Sequence, residues 1–222
     1  MVTARPLDEV RPIILDLDDT LIESFPTYVR LHQRVAEEMG LPVPTRAELI
    51  PYGPSWEATL AGLWPTTDLG EFIRRYDELA CEHPYPAVAG AAAALEELRG
   101  AGHSLWIVTK RSRRRLADRM RQAGLAEALF DGIFPAEDQP ALKPDPRCFA
   151  PVWRALGAQP KEALYVGDRM EDRLAAEAAG VRFLAVLTGP EVAHGFPGDL
   201  TPASVLPSVA HLPARLRDNF WP

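Results

Sequence analysis

The sequence predicts an α/β protein with a mostly parallel sheet and an all-helical segment inserted after the first strand. Three observations lead to this fold class. A continuous apolar run at residues 12–17 is typical of a strand that is buried on both faces. Residues 23–85 show helical spacing and no strand pattern. From residue 86 onward, apolar runs alternate with helical segments, which predicts right-handed βαβ units.

Each element follows from local signals along the chain. In the insertion, apolar residues recur at helical spacing between proline and glycine breaks, which predicts helices at 26–39, 55–63 and 68–81. After it we predict strands at 104–109, 132–135, 163–166, 181–187 and 204–206. The helices between and after these strands are predicted at 90–99, 113–123, 146–156, 170–179 and 209–217. The predicted domains are a core of residues 1–22 and 86–222, and an insertion of residues 23–85.

Length and composition exclude several classes of protein. The 222 residues are 47% hydrophobic and 25% charged, which suffices to bury a sizeable core. The net charge of −7 argues against a nucleic-acid-binding surface. We expect no membrane helix and no signal peptide, because the best apolar stretch near the N-terminus contains Asp16. The two cysteines form no disulfide framework, so we expect a cytoplasmic protein. We also expect a monomer or a homodimer.

Polar residues follow the predicted strands at the edge where parallel sheets bind ligands. These residues are Asp16, Asp18, Thr109, Lys110, Lys143, Asp168 and Asp172. Carboxylates gathered in one pocket repel each other by about 4 kcal/mol per pair at 4 Å near a protein interior, so the site needs cations. Lys143 is one candidate, in a chain where only three of the 24 basic residues are lysines. Mg²⁺ is the other, because it prefers oxygen ligands and binds phosphate oxygens through its open positions.

These residues form four motifs that resemble a known family. The motifs are Asp16-x-Asp18-x-Thr20-Leu21, Thr109 at a strand end, Lys143-Pro144-x-Pro146 and Gly167-Asp168-x-x-x-Asp172. In this order they resemble the haloacid dehalogenase superfamily, and within it the helical-cap phosphatases similar to phosphoglycolate phosphatase. The resemblance covers about residues 12–210. It implies a Rossmann-like parallel-sheet core with an inserted helical cap of the C1 type.

The resemblance also implies chemical roles for the matched residues. Asp16 is implied to be the nucleophile that forms an aspartyl-phosphate, and Asp18 the general acid and then the base. Thr109 is implied to hold the phosphoryl oxygens, while Lys143 neutralises their charge and that of Asp16. The expected reaction is Mg²⁺-dependent hydrolysis of a small phosphate ester.

The remaining implied roles concern the metal and the substrate. Asp168 is implied to ligate Mg²⁺ together with Asp16 and the Asp18 carbonyl. Asp172 is implied to support these ligands, although a carboxylate that only favours a helix N-terminus would look the same in the sequence. Thr20, like Thr109, is expected to contact the substrate.

Several positions depart from the family pattern or allow two interpretations. Asp19 replaces a frequent glycine, and we expect no consequence. Arg169 stands where a small hydroxyl residue is common, which leaves the hydrogen bonding at that point open. Lys110 stands where many such phosphatases have asparagine, and it is either a solvated lysine or a contact to an anionic leaving group. The arginine-rich run at residues 111–115 is predicted to be a solvated helix face.

Three alternative functions remain open on the sequence. A phosphomutase would share all four motifs and differ in the lifetime of its aspartyl-phosphate. A 2-haloacid dehalogenase shares the fold, but that branch lacks the second aspartate, so Asp18 argues against it. A non-catalytic binding protein is the third alternative, which the loss of Asp16, Lys143 or Asp168 would have supported.

Overall fold

The computed structural model describes residues 11–157, 159, 162–190, 200–201 and 204–217. The chain divides into two compact units. We call the described residues up to Glu23 and from Pro86 onward the sheet unit, and Ser24–Tyr85 the helical unit. The division into domains of residues 1–22 with 86–222 and of residues 23–85 stays a prediction.

In the sheet unit, the described residues form one parallel sheet of six strands in the order β3-β2-β1-β4-β5-β6. The strands are β1 (Ile13–Leu15), β2 (Leu105–Val108), β3 (Gly132–Phe134), β4 (Leu164–Gly167), β5 (Arg182–Val186) and β6 (Val205–Leu206). Every strand lies where the sequence predicts one, although β4 is shifted by one residue and the other five are shorter by one to three residues, and the α/β fold class is confirmed.

Strand β1 lies in the middle of the sheet and is completely buried. It pairs with β2 on one side and with β4 on the other. The chain therefore builds the sheet outward from β1 in one direction and then in the other. In open α/β sheets, ligands bind at the carboxyl ends of the strands where this reversal occurs. The fold thus predicts a site beyond Leu15, where β1 ends.

The helices of the sheet unit connect these strands. They are α4 (Ala91–Gly100), α5 (Arg113–Gln122), α6 (Ala150–Leu156), α7 (Met170–Ala178) and α8 (Leu212–Arg217). Two predicted helices are wrong in detail, because 146–156 and 209–217 each begin as a 3-10 turn, at Pro146–Phe149 and Val209–His211. The reason is a proline near each junction, since Pro151 and Pro213 have no N–H to continue the preceding hydrogen-bond ladder.

The helical unit contains α1 (Phe25–Glu38), α2 (Trp56–Leu63) and α3 (Leu69–Glu82), with a 3-10 turn at Ala47–Leu49. Its helix starts follow from capping residues. The Ser55 side chain accepts from the backbone N–H of Ala58, and the Asp68 carboxylate accepts from those of Gly70 and Glu71. No strand occurs among the described residues of this unit, as the sequence predicts.

The core of the helical unit is built around His32, which is completely buried. Its Nδ1 lies 2.7 Å from the Tyr28 carbonyl oxygen, and its Nε2 accepts a hydrogen bond of 3.0 Å from Trp56. The rings of Phe72 and Tyr76 pack against it. Burial lowers the pKa of His32 to about 4, so the imidazole is neutral at neutral pH.

Within the part of the chain that the structure describes, no helix has both the length and the apolar composition needed to span a membrane.

Candidate active site

Two buried carboxylates meet where the strand order reverses. Asp16 directly follows β1 and Asp168 directly follows β4. The two strands stay paired up to this point, because the backbone N–H of Asp16 donates to the Val166 carbonyl at 2.9 Å. Both side chains are almost inaccessible to solvent. The sequence-based expectation that strand ends gather the acidic residues therefore matches the geometry.

The ammonium of Lys143 lies at the centre of the site and donates hydrogen bonds to three side chains. Its Nζ lies 2.8 Å from Oδ1 of Asp16, 2.6 Å from Oδ1 of Asp172 and 2.9 Å from the hydroxyl of Tyr165. An ammonium has three donors, so these three acceptors match its full capacity. Burial alone would lower the pKa of Lys143, but the carboxylates of Asp16 and Asp172 raise it well above its usual value. The ammonium is therefore fixed in place and stays charged.

Asp172 contacts both the start of a helix and the Lys143 ammonium. It lies in the first turn of α7, and its Oδ2 accepts the backbone N–H of Arg169 at 3.0 Å, as a helix-capping carboxylate does. Its Oδ1 accepts from both Lys143 and Tyr165. A β-carbon added to Gly167 would lie 2.5 Å from the Asp172 carboxylate, so glycine is needed for this close approach. Because the capping donor is a backbone group, the Arg169 side chain does not prevent it.

The carboxylates of Asp16, Asp168 and Asp172 can each bring an oxygen within 4.8 Å of the others. Asp168 Oδ1 accepts a hydrogen bond of 3.1 Å from the Thr20 hydroxyl. Asp168 Oδ2 is buried and has no hydrogen-bond partner among the described residues. An unpartnered buried carboxylate oxygen is costly, and a cation would satisfy it. The donor set is entirely oxygen, so these residues fit a hard divalent metal such as Mg²⁺.

The electrostatics of the site support the same fit. Burial raises the pKa of Asp16 to about 7, and the carboxylates of Asp172 and Asp18 add to the shift, although Lys143 opposes it. Burial, followed by the neighbouring carboxylates, raises the pKa of Asp168 well above its usual range. One lysine does not balance this many acidic groups. A divalent cation would favour the ionised form of the carboxylates that bind it.

Asp18 lies at the accessible side of the site and is paired with Arg111. Arg111 Nε donates to Asp18 Oδ2 at 2.9 Å, and a second guanidinium N–H donates to Oδ1. The side chain of Arg111 is only 15% exposed. The prediction of a solvated face over residues 111–115 is therefore wrong for Arg111. The sequence contained a signal for this residue, since Arg111 lies only two positions after Thr109.

The residues around Thr109 are held by neighbouring backbone and side chains. Thr109 is buried, and its hydroxyl accepts the N–H of Arg111 at 3.1 Å. Lys110 Nζ lies 2.9 Å from Oε2 of Glu171, and both side chains are largely buried. Lys110 is thus not a solvated lysine, and its predicted contact with substrate is not tested by this geometry. Sequence reasoning missed Glu171, and it missed Tyr165 because that residue lies inside an apolar strand pattern.

Known proteins resemble this chain in sequence and fold. A model of the haloacid dehalogenase-like hydrolase family matches residues 13–186. The chain belongs to this family. A phosphoglycolate phosphatase of Cereibacter sphaeroides is 33% identical to it over 193 residues, which are 80% of this chain and 85% of that protein. The recognised family and the enzyme class, a hydrolase, are therefore confirmed.

Solved structures show the same fold. A haloacid dehalogenase-like hydrolase from Bacteroides fragilis superposes with a TM-score of 0.76 at 26% identity, covering 92% of this chain and all of that one. A protein of Thermotoga maritima named as a β-phosphoglucomutase superposes with a TM-score of 0.73 at 22% identity, covering 94% of this chain and 99% of that one. At this lower identity the likeness concerns the fold alone.

Proposed function

We propose that this hydrolase is a Mg²⁺-dependent phosphatase that cleaves a small phosphate monoester through an aspartyl-phosphate on Asp16. The observation that carries the proposal is the buried group of Asp16, Asp168 and Lys143 at the strand-order reversal, in which one Asp168 oxygen has no hydrogen-bond partner among the described residues. The name of the Cereibacter sphaeroides relative supports a phosphatase. We further propose a cytoplasmic location, a monomer or homodimer, and no nucleic-acid partner.

The first half-reaction assigns the new bond to Asp16. A carboxylate oxygen of Asp16 attacks phosphorus, and the bond between phosphorus and the ester oxygen breaks. The leaving oxygen takes a proton from Asp18. Lys143 fixes the orientation of the Asp16 carboxylate and balances the charge of the phosphoryl group, while Thr109 and nearby N–H groups hold its oxygens.

The second half-reaction returns the enzyme to its starting state. Asp18, now ionised, accepts a proton from a water molecule as that water attacks phosphorus. The bond between phosphorus and Asp16 breaks, and inorganic phosphate leaves. Asp16, Asp168 and the Asp18 carbonyl would hold Mg²⁺, which would supply positive charge for the phosphoryl oxygens. Asp172 holds Lys143 and does not need to touch the phosphate.

The name of a relative suggests which phosphate ester to test first. A relative named phosphoglycolate phosphatase makes 2-phosphoglycolate the first ester to test. A phosphomutase remains the second candidate, because it would share all four sequence motifs. A mutase would transfer the phosphoryl group from Asp16 to a second sugar hydroxyl instead of to water. A 2-haloacid dehalogenase is disfavoured by Asp18, and a non-catalytic binding protein by the intact site.

A phosphate-release screen tests the proposal. The purified protein is incubated with a panel of phosphate monoesters that includes 2-phosphoglycolate and β-glucose 1-phosphate, with Mg²⁺ or with EDTA. We expect phosphate release in Mg²⁺, loss in EDTA and recovery on adding Mg²⁺ back. The Asp16→Asn variant should fold and release none. Full activity in EDTA, or in Asp16→Asn, would overturn the mechanism, and conversion of β-glucose 1-phosphate to glucose 6-phosphate would indicate the mutase.

A further inference from the structure

The side chain proposed to protonate the leaving group is already bound on both of its oxygens. Arg111 donates one hydrogen bond to Oδ2 of Asp18 and another to Oδ1. Such two-fold pairing between a guanidinium and a carboxylate is among the strongest side-chain contacts, and it fixes the plane of the carboxylate. To deliver a proton to a substrate oxygen, Asp18 has to turn one of these oxygens away from Arg111. The pair must therefore loosen during the reaction.

The surroundings allow the Arg111 side chain, rather than its backbone, to make this movement. The Arg111 N–H donates to the Thr109 hydroxyl at 3.1 Å, and its carbonyl accepts the N–H of Ala136 at 3.0 Å. These bonds anchor the backbone beside the phosphate-holding residue. The Asp18 side chain is 29% exposed, so a small solute can reach the pair. Arg111 thus has an anchored backbone and a long side chain, and a small substrate can reach its partner Asp18.

The neighbouring lysine is in a different situation. Lys110 is paired with Glu171, which has no role in the proposed reaction, so catalysis does not require that pair to open. Arg111, in contrast, shares its partner with the leaving group. A guanidinium leaves one carboxylate most readily for another planar anion or for a phosphate. Of the two cationic side chains that follow Thr109, it is Arg111 that is paired with a residue of the proposed reaction, namely Asp18.

We propose that Arg111 exchanges Asp18 for an anionic group on the leaving part of the substrate, and that this exchange frees Asp18 to take up a proton from solvent and then act as the acid. The substrate class is a phosphate monoester that carries a carboxylate or a second phosphate close to its ester oxygen. The inference rests on the proposed phosphatase function and deepens it. An ester without the second anion leaves Arg111 on Asp18 and reacts slowly.

Two matched esters test the exchange. The first is 2-phosphoglycolate, and the second is ethyl phosphate, in which a methyl group replaces the carboxylate. We expect the wild-type protein to prefer 2-phosphoglycolate in kcat/KM, and Arg111→Gln to lower kcat/KM for that ester by about 10-fold or more, with a raised KM. For ethyl phosphate, Arg111→Gln should keep or raise kcat. Arg113→Gln is the control, since Arg113 follows closely and pairs with Asp138 outside the site.

The outcomes separate the exchange from other roles of Arg111. An equal loss on both esters in Arg111→Gln would overturn the proposal and leave Arg111 as a residue that only positions Asp18. No loss on either ester would also overturn it. Arg111→Lys keeps the charge without the two-fold geometry, and we expect it to recover only part of the preference. Thermal melting of each variant shows whether the fold survives, and the lysine variant serves if the glutamine variant does not fold.

A binding measurement keeps this inference apart from the proposed function. If the wild-type protein releases phosphate from neither ester, the phosphatase proposal fails in its present form. Calorimetric binding of the two esters in Mg²⁺ then decides the exchange. Tighter binding of 2-phosphoglycolate to Asp16→Asn, lost by about 10-fold or more when Arg111→Gln is added, would support it. Equal binding of the two esters would overturn it whatever the catalytic result.

Discussion

Gly189 lies so close to Asp168 that a β-carbon added to the glycine would stand 2.0 Å from Oδ2 of the aspartate. This oxygen is the buried one that has no hydrogen-bond partner among the described residues. The neighbouring Thr188 hydroxyl donates to the carbonyl of Asp19 at 2.5 Å, which holds the segment after β5 against the site. The backbone of this segment therefore forms one wall of the proposed metal site.

From this contact we predict that Gly189→Ala weakens Mg²⁺ binding by about 10-fold or more, because the new methyl group displaces the Asp168 carboxylate and a proposed metal ligand is lost. Titration calorimetry with Mg²⁺ measures the effect independently of activity. Gly100→Ala is the control, since a β-carbon there meets no atom of the described residues within 4 Å. Unchanged Mg²⁺ affinity in Gly189→Ala would remove Asp168 from the ligand set.

Lys143→Met should destabilise the protein by about 3–5 kcal/mol at pH 8 in EDTA, because it leaves Asp16 and Asp172 buried without their cation. The pKa of Asp16 is already about 7 with the lysine present, and loss of the lysine removes a contact that lowers it. A carboxyl with a raised folded-state pKa loses stability as pH rises from its unfolded-state pKa to its folded-state pKa, so the loss extends to higher pH in Lys143→Met than in the wild type. The destabilisation should therefore be smaller at pH 5.5 than at pH 8.

Urea unfolding at the two pH values measures this effect. Arg147→Met is the matched control, because Arg147 follows in the same segment and its pair with Asp145 lies at the exposed surface. We expect that control to change stability by about 1 kcal/mol or less at either pH. A loss in Lys143→Met that is the same at pH 5.5 and pH 8 would contradict the electrostatic role of Lys143.

Residues whose place is set by a strand end could be predicted from the sequence. A parallel strand points its carboxyl end toward the ligand edge, so Asp16 and Asp168 follow from two apolar runs and one topological rule. Asp19 illustrates the limit of pattern matching. It has a positive φ of 57°, which explains why glycine is frequent there in the family and why aspartate is tolerated.

Contacts made by long side chains across the fold could not be predicted in the same way. Arg111 binds Asp18, which lies 93 positions away in the sequence, whereas the sequence pattern predicts a solvated helix face for Arg111. Gly189 acts through the closeness of its backbone to Asp168, which no local pattern reveals. Tyr165 lies within an apolar strand, so the sequence pattern treats it as an ordinary core residue. Its hydroxyl is recognised as part of the site only from its contact with Lys143. Such residues depend on packing between distant segments.

His32 should make the protein sensitive to acid. Its pKa is lowered from 6.5 to about 4 by burial, so between these values the unfolded chain takes up a proton that the folded chain refuses. Stability from this residue is complete above pH 6.5 and is lost as pH falls, by about 3 kcal/mol at pH 4. Unfolding free energies measured from pH 7 to pH 4 check the prediction.

The matched variant for this prediction is His32→Gln. Glutamine can still donate to the Tyr28 carbonyl and accept from Trp56, but it does not titrate in this range. The fall in stability between pH 7 and pH 4 should be smaller in His32→Gln than in the wild type by about 3 kcal/mol. Parallel curves for the two proteins would show that the pKa of His32 is the same in the folded and unfolded states.

Lys110 and Glu171 should be coupled in stability rather than in substrate choice. Their charged groups lie 2.9 Å apart, with the side chains 12% and 22% exposed. This burial places the pair between a surface ion pair and a fully buried one. A double-mutant cycle with Lys110→Met, Glu171→Gln and the double variant should therefore give a coupling free energy of about 1–2 kcal/mol in urea unfolding.

Because the pair stays closed during the proposed reaction, Lys110→Met should change kcat/KM for 2-phosphoglycolate and ethyl phosphate by the same factor. A loss confined to 2-phosphoglycolate would instead assign the anionic leaving group to Lys110, as the alternative interpretation of the sequence has it.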